Sequence, residues 1–175
     1  MASASLEELE QRLSRLEAIQ GIERLKYRYL RACDRKDPEA IRECFVRDGA
    51  QLDYGPLGKL DGRDALVDVF TRLALRRDGG TWLYHDMHHG HHPDIDVLDD
   101  GTATGRWTLS FLRVNLDAGA VEQASIEYDD CYVVEGDSWK IRSSRVTPLT
   151  SFSVPLPEAA RVAAGAASPE APGPS

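Results

Sequence analysis

The hydrophobic positions of this chain change period once, from helical in the first half to alternating in the second. Leu6, Leu9, Leu13 and Leu16 recur at 3-4-3 spacing, which predicts a helical stripe. The stripe covers about two heptads, short of the three or four a coiled coil needs. It therefore reads as a helix lying on its own domain or on a neighbouring subunit, preceded by a frayed start over residues 1–5. Gly21 marks an expected break or bend. A second helical pattern follows, with Ile22, Leu25, Tyr29 and Cys33 on one face and Asp34 at its end. Asp37-Pro38-Glu39 is a helix-start signal, Asp as N-cap and Pro at the first helical position. It predicts a short helix over Pro38–Phe45 with Ile41, Cys44 and Phe45 inward. Asp48-Gly49 turns into a strand over Ala50–Tyr54, followed by a loop at Gly55–Gly58. Asp61-Gly62-Arg63-Asp64 opens a third helix with Leu66, Val69, Phe70, Leu73 and Ala74 on its buried stripe.

From Thr81 the pattern is β. Strands are predicted over 81–87 and 88–98, which can join as one bent strand, then over 102–116, 121–135 and 138–146. Turns at Asp99-Asp100-Gly101, Asp117-Ala118-Gly119 and Gly136-Asp137 separate them. Trp107, Leu109 and Phe111 alternate on one strand. Ile126, Tyr128, Tyr132 and Val134 are expected to share a face of the next. Helices first, then consecutive antiparallel strands, is the α+β pattern. Residues 157–175 collapse to Ala, Pro, Gly, Ser and Glu, with little to bury, and are expected to form a disordered tail.

Composition narrows the function. The chain has 175 residues, 42% hydrophobic and 29% charged, which suits one globular domain with a real core. A formal charge of −8 with no basic patch argues against a nucleic-acid partner. No apolar run approaches the ~20 residues of a membrane helix, and the acidic start (Glu7, Glu8, Glu10) has no signal-peptide core. Cys33, Cys44 and Cys131 are odd in number and lack C-x-x-C spacing, so reduced thiols and a cytoplasmic location are expected.

The candidate chemistry is concentrated in one stretch. All five histidines, His85, His88, His89, His91 and His92, fall within Tyr84–His92, which reads Y-H-D-M-H-H-G-H-H. Imidazole is the side chain suited to proton transfer near neutrality. In a strand, side chains alternate between faces. His88 and His92 would point one way, and His85, His89 and His91 the other, so one or two would line a pocket. His89-x-His91 followed by Asp96 has a superficially cupin-like spacing. No glycine lies six residues before His89, however, and no later histidine supplies a second motif. No metal or cofactor is expected.

Three pieces together resemble the SnoaL-like branch of the nuclear transport factor 2-like (NTF2-like) superfamily. The first is the helix Ile22–Asp34, with Tyr29 and Asp34, followed by Asp37 and Phe45-x-x-Asp48. The second is the histidine strand feeding I-D-V-L-D-D-G-T-A-T-G at 95–105. The third is Y-D-D-C-Y-V-V-E-G-D-S-W-K-I-R-S-S-R at 128–145. The resemblance covers roughly residues 15–150. It implies a cone-shaped fold, N-terminal helices packed into a strongly curved mixed sheet around one apolar pocket. The implied domain spans 21–156, with 1–20 as a helical extension. Members of this fold are commonly dimers or trimers, which implies a homo-oligomer.

Dehydratases of that branch, scytalone dehydratase and the bile-acid 7α-dehydratase, pair a helix aspartate with a sheet histidine flanked by tyrosines. The resemblance maps these onto Asp34 and His88, with Tyr29 five residues before Asp34, Tyr54 as a second catalytic tyrosine and His85 as the fallback imidazole. Tyr128 and Arg145 are its implied pocket residues, and His85 and Trp107 complete the expected substrate-binding set. On the residues alone, Tyr128 reads as core or pocket wall, Arg145 as a partner of Asp129 or Asp130, and Trp107 as core. The expected activity is a cofactor-independent dehydratase acting on a hydroxylated, carbonyl-bearing steroid-like or polyketide-like small molecule. An isomerase or polyketide cyclase using the same dyad is the near alternative. A non-catalytic partner, like the small subunit of a ring-hydroxylating dioxygenase, is the distant one.

Overall fold

The chain's first helix is started by a reciprocal cap. Ser5 Oγ accepts from the Glu8 amide, and Glu8 accepts from the Ser5 amide at 2.8 Å. Ser5 is therefore an ordered N-cap rather than part of a frayed end. The computed structural model describes residues 5–160 and residue 162. Residues 1–4, and the expected tail over 157–175 apart from 157–160 and 162, lie outside the described residues.

Helix α1 runs unbroken over Leu6–Arg35. Gly21 does not bend it. A Cβ there would come within 2.9 Å of Trp139 Cδ1, so the missing side chain lets the helix lie against that indole. The leucine stripe does not lie on its own domain: Leu6, Leu9, Leu13 and Leu16 are all exposed. Burial begins at Ile22 and continues through Leu25, Tyr29, Leu30 and Cys33. Helix α2, Pro38–Arg42, starts as the Asp-Pro signal requires, with the Asp37 carboxylate accepting from the Ala40 amide at 3.0 Å. It is shorter than expected, because Phe45 leaves the helix to bridge Ile141 in parallel.

Strands β1 (Gln51–Asp53) and β2 (Lys59–Asp61) flank a single 3-10 turn at Gly55–Leu57. Helix α3 follows over Arg63–Ala74. Strands β3 (Arg77–Asp78) and β4 (Thr81–Trp82) form a small separate hairpin. Long strands β5 (Tyr84–Val97), β6 (Thr102–Asn115), β7 (Ala120–Glu135) and β8 (Ser138–Pro155) complete the set. The main sheet has the order β2-β1-β8-β7-β6-β5. The β1–β8 pair is parallel and every other pair antiparallel, giving a mixed sheet. Strand β8 runs on to Pro155 instead of ending at Val146, and leaves Leu149, Phe152 and Val154 exposed. Val134, expected inward, is also exposed, beyond the stretch of β7 that carries buried Tyr128 and Tyr132.

The core lies between α1 and the inner face of the sheet, around Trp107, Leu109, Tyr132, Ile141 and Phe45. Inside it sits a buried ion pair, Lys26 Nζ to Asp130 Oδ2 at 2.7 Å, with both side chains essentially inaccessible. Asp130 also accepts from Tyr132 and Ser144 hydroxyls, and the Lys26 ammonium lies 3.5 Å from the Tyr128 ring centroid. Burial lowers the Lys26 pKa, and the attraction of Asp130 offsets part of that shift.

Removing one partner of such a pair leaves an uncompensated buried charge. Lys26→Met is therefore expected to destabilise the protein by roughly 3–5 kcal/mol in urea unfolding followed by tryptophan fluorescence. Lys26→Met with Asp130→Asn is expected to recover much of that loss, because no charge then remains buried alone.

Candidate active site

The alternation of β5 sorts its side chains. Tyr84, Asp86, His88 and Gly90 face inward, while Met87, His89 and His91 are exposed on the other side. A bulge between His91 and Asp94 resets the alternation. His92 sits there with φ 51° and is exposed, rather than sharing the inner face with His88. Across the ladder, Asp86 pairs with Arg113, His88 with Phe111 and Gly90 with Leu109.

Helix α1 crosses this row closely. A Cβ on Gly90 would come within 2.8 Å of Leu30 Cδ1, so glycine permits the approach. One turn further along α1, Asp34 meets His88. Its Oδ1 lies 2.6 Å from His88 Nδ1 and 3.1 Å from the His88 amide nitrogen. An ionised carboxylate can only accept, so Nδ1 is the donor, and in the neutral imidazole Nε2 carries the lone pair. The Asp34 side chain is 32% exposed and that of His88 15%, so the dyad is not sealed in the core; His88 lines the cavity and Asp34 stands behind it.

The cavity has a volume of about 300 Å³. His88, Phe111, Tyr29, Tyr54 and Tyr128 line it, and the apolar face of α3 (Leu66, Val69, Phe70, Leu73, Ala74) closes one side. This explains why Val69 and Phe70, read from the sequence as buried, are only half-buried, and why Leu73 is exposed: their stripe faces a cavity rather than packed core. The Tyr29 and Tyr54 hydroxyls are 2.8 Å apart. Burial raises the pKa of both, and of Tyr128, well above that of a free phenol. All three remain protonated at neutral pH and can serve as hydrogen-bond donors.

Three expected site residues lie elsewhere. His85 alternates away from His88 and does not line the cavity. Arg145 is exposed on the outer face of the sheet, opposite Asp129 in the β7–β8 ladder. Trp107 is core: it is 2% exposed, and its indole N–H donates to the Tyr132 hydroxyl at 2.9 Å. Arg145 instead borders an open groove of about 830 Å³ on the far side, lined by Asp53, Asp61, Asp94, Asp96 and Asp129. That groove is larger but contains no histidine or tyrosine. Among the described residues no cluster of His, Cys, Asp and Glu is arranged to hold a metal ion.

Sequence reading missed a charged group on the inner wall. Asp86 accepts from Arg113 Nε at 2.7 Å and from Lys36 Nζ at 3.3 Å. Burial pushes the Asp86 pKa up, but the Arg113 hydrogen bond and charge, with Lys36, outweigh it and hold the carboxyl below its usual range. Strand parity with His88 was the available signal for Asp86. Arg113 and Lys36 could be found only from the ladder register and from the way α1 ends.

The fold recurs in solved structures. A protein assigned as a scytalone dehydratase from Novosphingobium aromaticivorans superposes with a TM-score of 0.70 at 20% identity, covering 84% of this chain and 97% of its own. A hexachlorocyclohexane dehydrochlorinase, LinA type 2, gives 0.71 at 16% identity, covering 87% and 98%. ActVI-ORFA from Streptomyces coelicolor gives 0.61 at 21%, covering 76% and 96%. No curated protein sequence matches the chain significantly. No helix among the described residues is long and apolar enough to cross a membrane. The SnoaL-like domain model matches residues 14–145, most of the chain, and with the mixed sheet wrapped over α1 it establishes that this protein belongs to the SnoaL-like domain family of NTF2-like fold.

Proposed function

We propose that the protein is a cofactor-independent lyase that eliminates water from a hydroxylated carbonyl compound, with Asp34 and His88 as its acid–base dyad. The observation that carries this reading is the 2.6 Å contact between Asp34 Oδ1 and His88 Nδ1 at the wall of an apolar cavity. Asp34 orients the imidazole and stabilises the imidazolium that forms. His88 Nε2 takes a proton from a carbon next to the substrate carbonyl, and the electrons of that C–H bond pass into an enolate. Tyr29 or Tyr54 donates a hydrogen bond to the enolate oxygen. The electrons then return to form the C=C bond, the β-hydroxyl C–O bond breaks, and the imidazolium or a tyrosine supplies the proton that lets the hydroxyl leave as water. Tyr128 is a wall residue against which the substrate ring lies.

The size of the cavity bounds the substrate. A cavity of about 150 Å³ takes one benzene ring, so about 300 Å³ suits a one- or two-ring molecule better than a four-ring sterol. The names of the structural relatives, a dehydratase and a dehydrochlorinase among them, describe eliminations and agree with the reading. An isomerase or aldol-type cyclase would use the same dyad and differ only in the fate of the enolate. A dyad on a cavity wall disfavours a non-catalytic partner role.

On a panel of one- and two-ring β-hydroxy ketones, His88→Ala is expected to lower turnover about 10²–10⁴-fold. Asp34→Asn should also lose activity, with circular dichroism unchanged. The readout is the ultraviolet absorbance of the enone formed. Wild-type turnover retained in both variants would overturn the assignment.

Tyr29→Phe and Tyr54→Phe should each reduce kcat about 10²–10³-fold if that hydroxyl serves the enolate oxygen. Because the two hydroxyls bond each other, the double variant is expected to fall little below the weaker single variant. Isomerisation in place of elimination would appear as solvent deuterium in a product of unchanged mass otherwise.

A further inference from the structure

We propose that Arg113, braced by Asp86 and Lys36, binds an anionic group of the substrate, so that the molecule processed here is a carboxylic acid as well as a carbonyl compound. The proposal rests on the reading of the Asp34–His88 cavity as a substrate site. It adds a second fixed point to that site.

Two cations share one carboxylate: Arg113 reaches both Asp86 oxygens, at 2.7 and 3.4 Å, and Lys36 Nζ reaches Oδ2 at 3.3 Å. The Asp86 and Lys36 side chains are almost wholly buried, at 1% and 4% exposed. Of the two cations, Arg113 lines the cavity, whose walls are otherwise mostly apolar. Of the other nearby carboxylates, Asp34 accepts from His88, and Glu122, opposite Arg113 in the β6–β7 ladder, accepts from Asn115. Aromatic rings pack on both cations: Trp82 beside Lys36, and Tyr84 and Phe111 beside Arg113.

Arg113 also has the donors to act. Its Nε and Nη2 are used on Asp86, and Nη1 has no hydrogen-bond partner among the described residues. Guanidinium matches carboxylate geometry better than a point charge does. Its side chain is 26% exposed and lines the cavity, so a ligand can reach it. Asp86 holds the guanidinium in place, which makes Asp86 and Lys36 positioning residues and Arg113 the binding one.

The spacing is suitable as well. The Asp86–Arg113 pair is two residues along the ladder from the His88–Phe111 pair, roughly 7 Å at strand spacing. A carboxylate on Arg113 would thus place a ring or short chain across Phe111 with its acidic C–H at His88.

Calorimetric titration with 2-naphthoate and its neutral isostere 2-naphthamide tests this without knowledge of the true substrate. Wild-type protein should bind the acid roughly 10- to 100-fold more tightly, the worth of a hydrogen bond to a charged group. Arg113→Gln should abolish the preference, Arg113→Lys should keep part of it, and 0.5 M salt should reduce it. Equal wild-type binding of acid and amide would overturn the proposal, as would an undiminished preference in Arg113→Gln. Should Arg113→Gln fail to fold, Arg113→Lys and the wild-type ratio still decide. His88→Ala should keep the naphthoate preference, so an intact anion preference in a protein with no dehydratase activity would refute the reaction reading and leave this site standing.

Discussion

The close approach of α1 to β5 is the constraint on which the site depends. Two glycines allow it. Gly21 lets the helix meet Trp139, and Gly90 gives Leu30 the room a Cβ would take. With the helix at that height, its last turn delivers Asp34 to His88 and its C-cap, Lys36, to Asp86. A helix held away by even one methyl group would lengthen both contacts, because side chains of this length cannot follow without leaving their preferred rotamers.

Charge inside the protein is arranged in three separate places. Lys26 and Asp130 neutralise each other in the core, where Asp130 also satisfies Tyr132 and Ser144. His88 lines the cavity with Asp34 behind it, both partly open to solvent. Asp86 holds two cations. The first arrangement is closed, since each charge has its partner and both side chains are inaccessible to solvent. The other two border the cavity, and each leaves a group free to interact with a ligand: the Nε2 lone pair of His88 and the spare guanidinium donors of Arg113. The phenols add donors without adding charge, because burial keeps them protonated.

The aliphatic face of α3 completes the cavity. It carries the residues a core helix would carry, yet Val69, Phe70 and Leu73 are not fully buried, because they face empty space. Apolar side chains around such a space favour a ligand with hydrophobic rings. The two polar ends, His88 and Arg113, would then set its orientation, the usual division of labour in a small-molecule pocket.

Periodicity and spacing along the chain were enough to determine the α+β order, the buried face of α1 from Ile22 to Cys33, the antiparallel strands after Tyr84 and the alternation that separates His88 from His85, His89 and His91. These are local properties, set by 3.6- and 2-residue periods and by turn residues. The pairing of Asp34 with His88 was legible only through resemblance, since fifty-four positions separate them. What the tertiary structure alone decided was everything that depends on register and on the distance between layers. The bulge at His91 turned His92 outward, and the β7–β8 ladder carried Arg145 to the far face. Arg113 and Lys36 joined Asp86 because a ladder register and a helix end coincide there. No one-dimensional pattern encodes such a coincidence, because it arises only when distant segments are brought to within a few ångströms of each other.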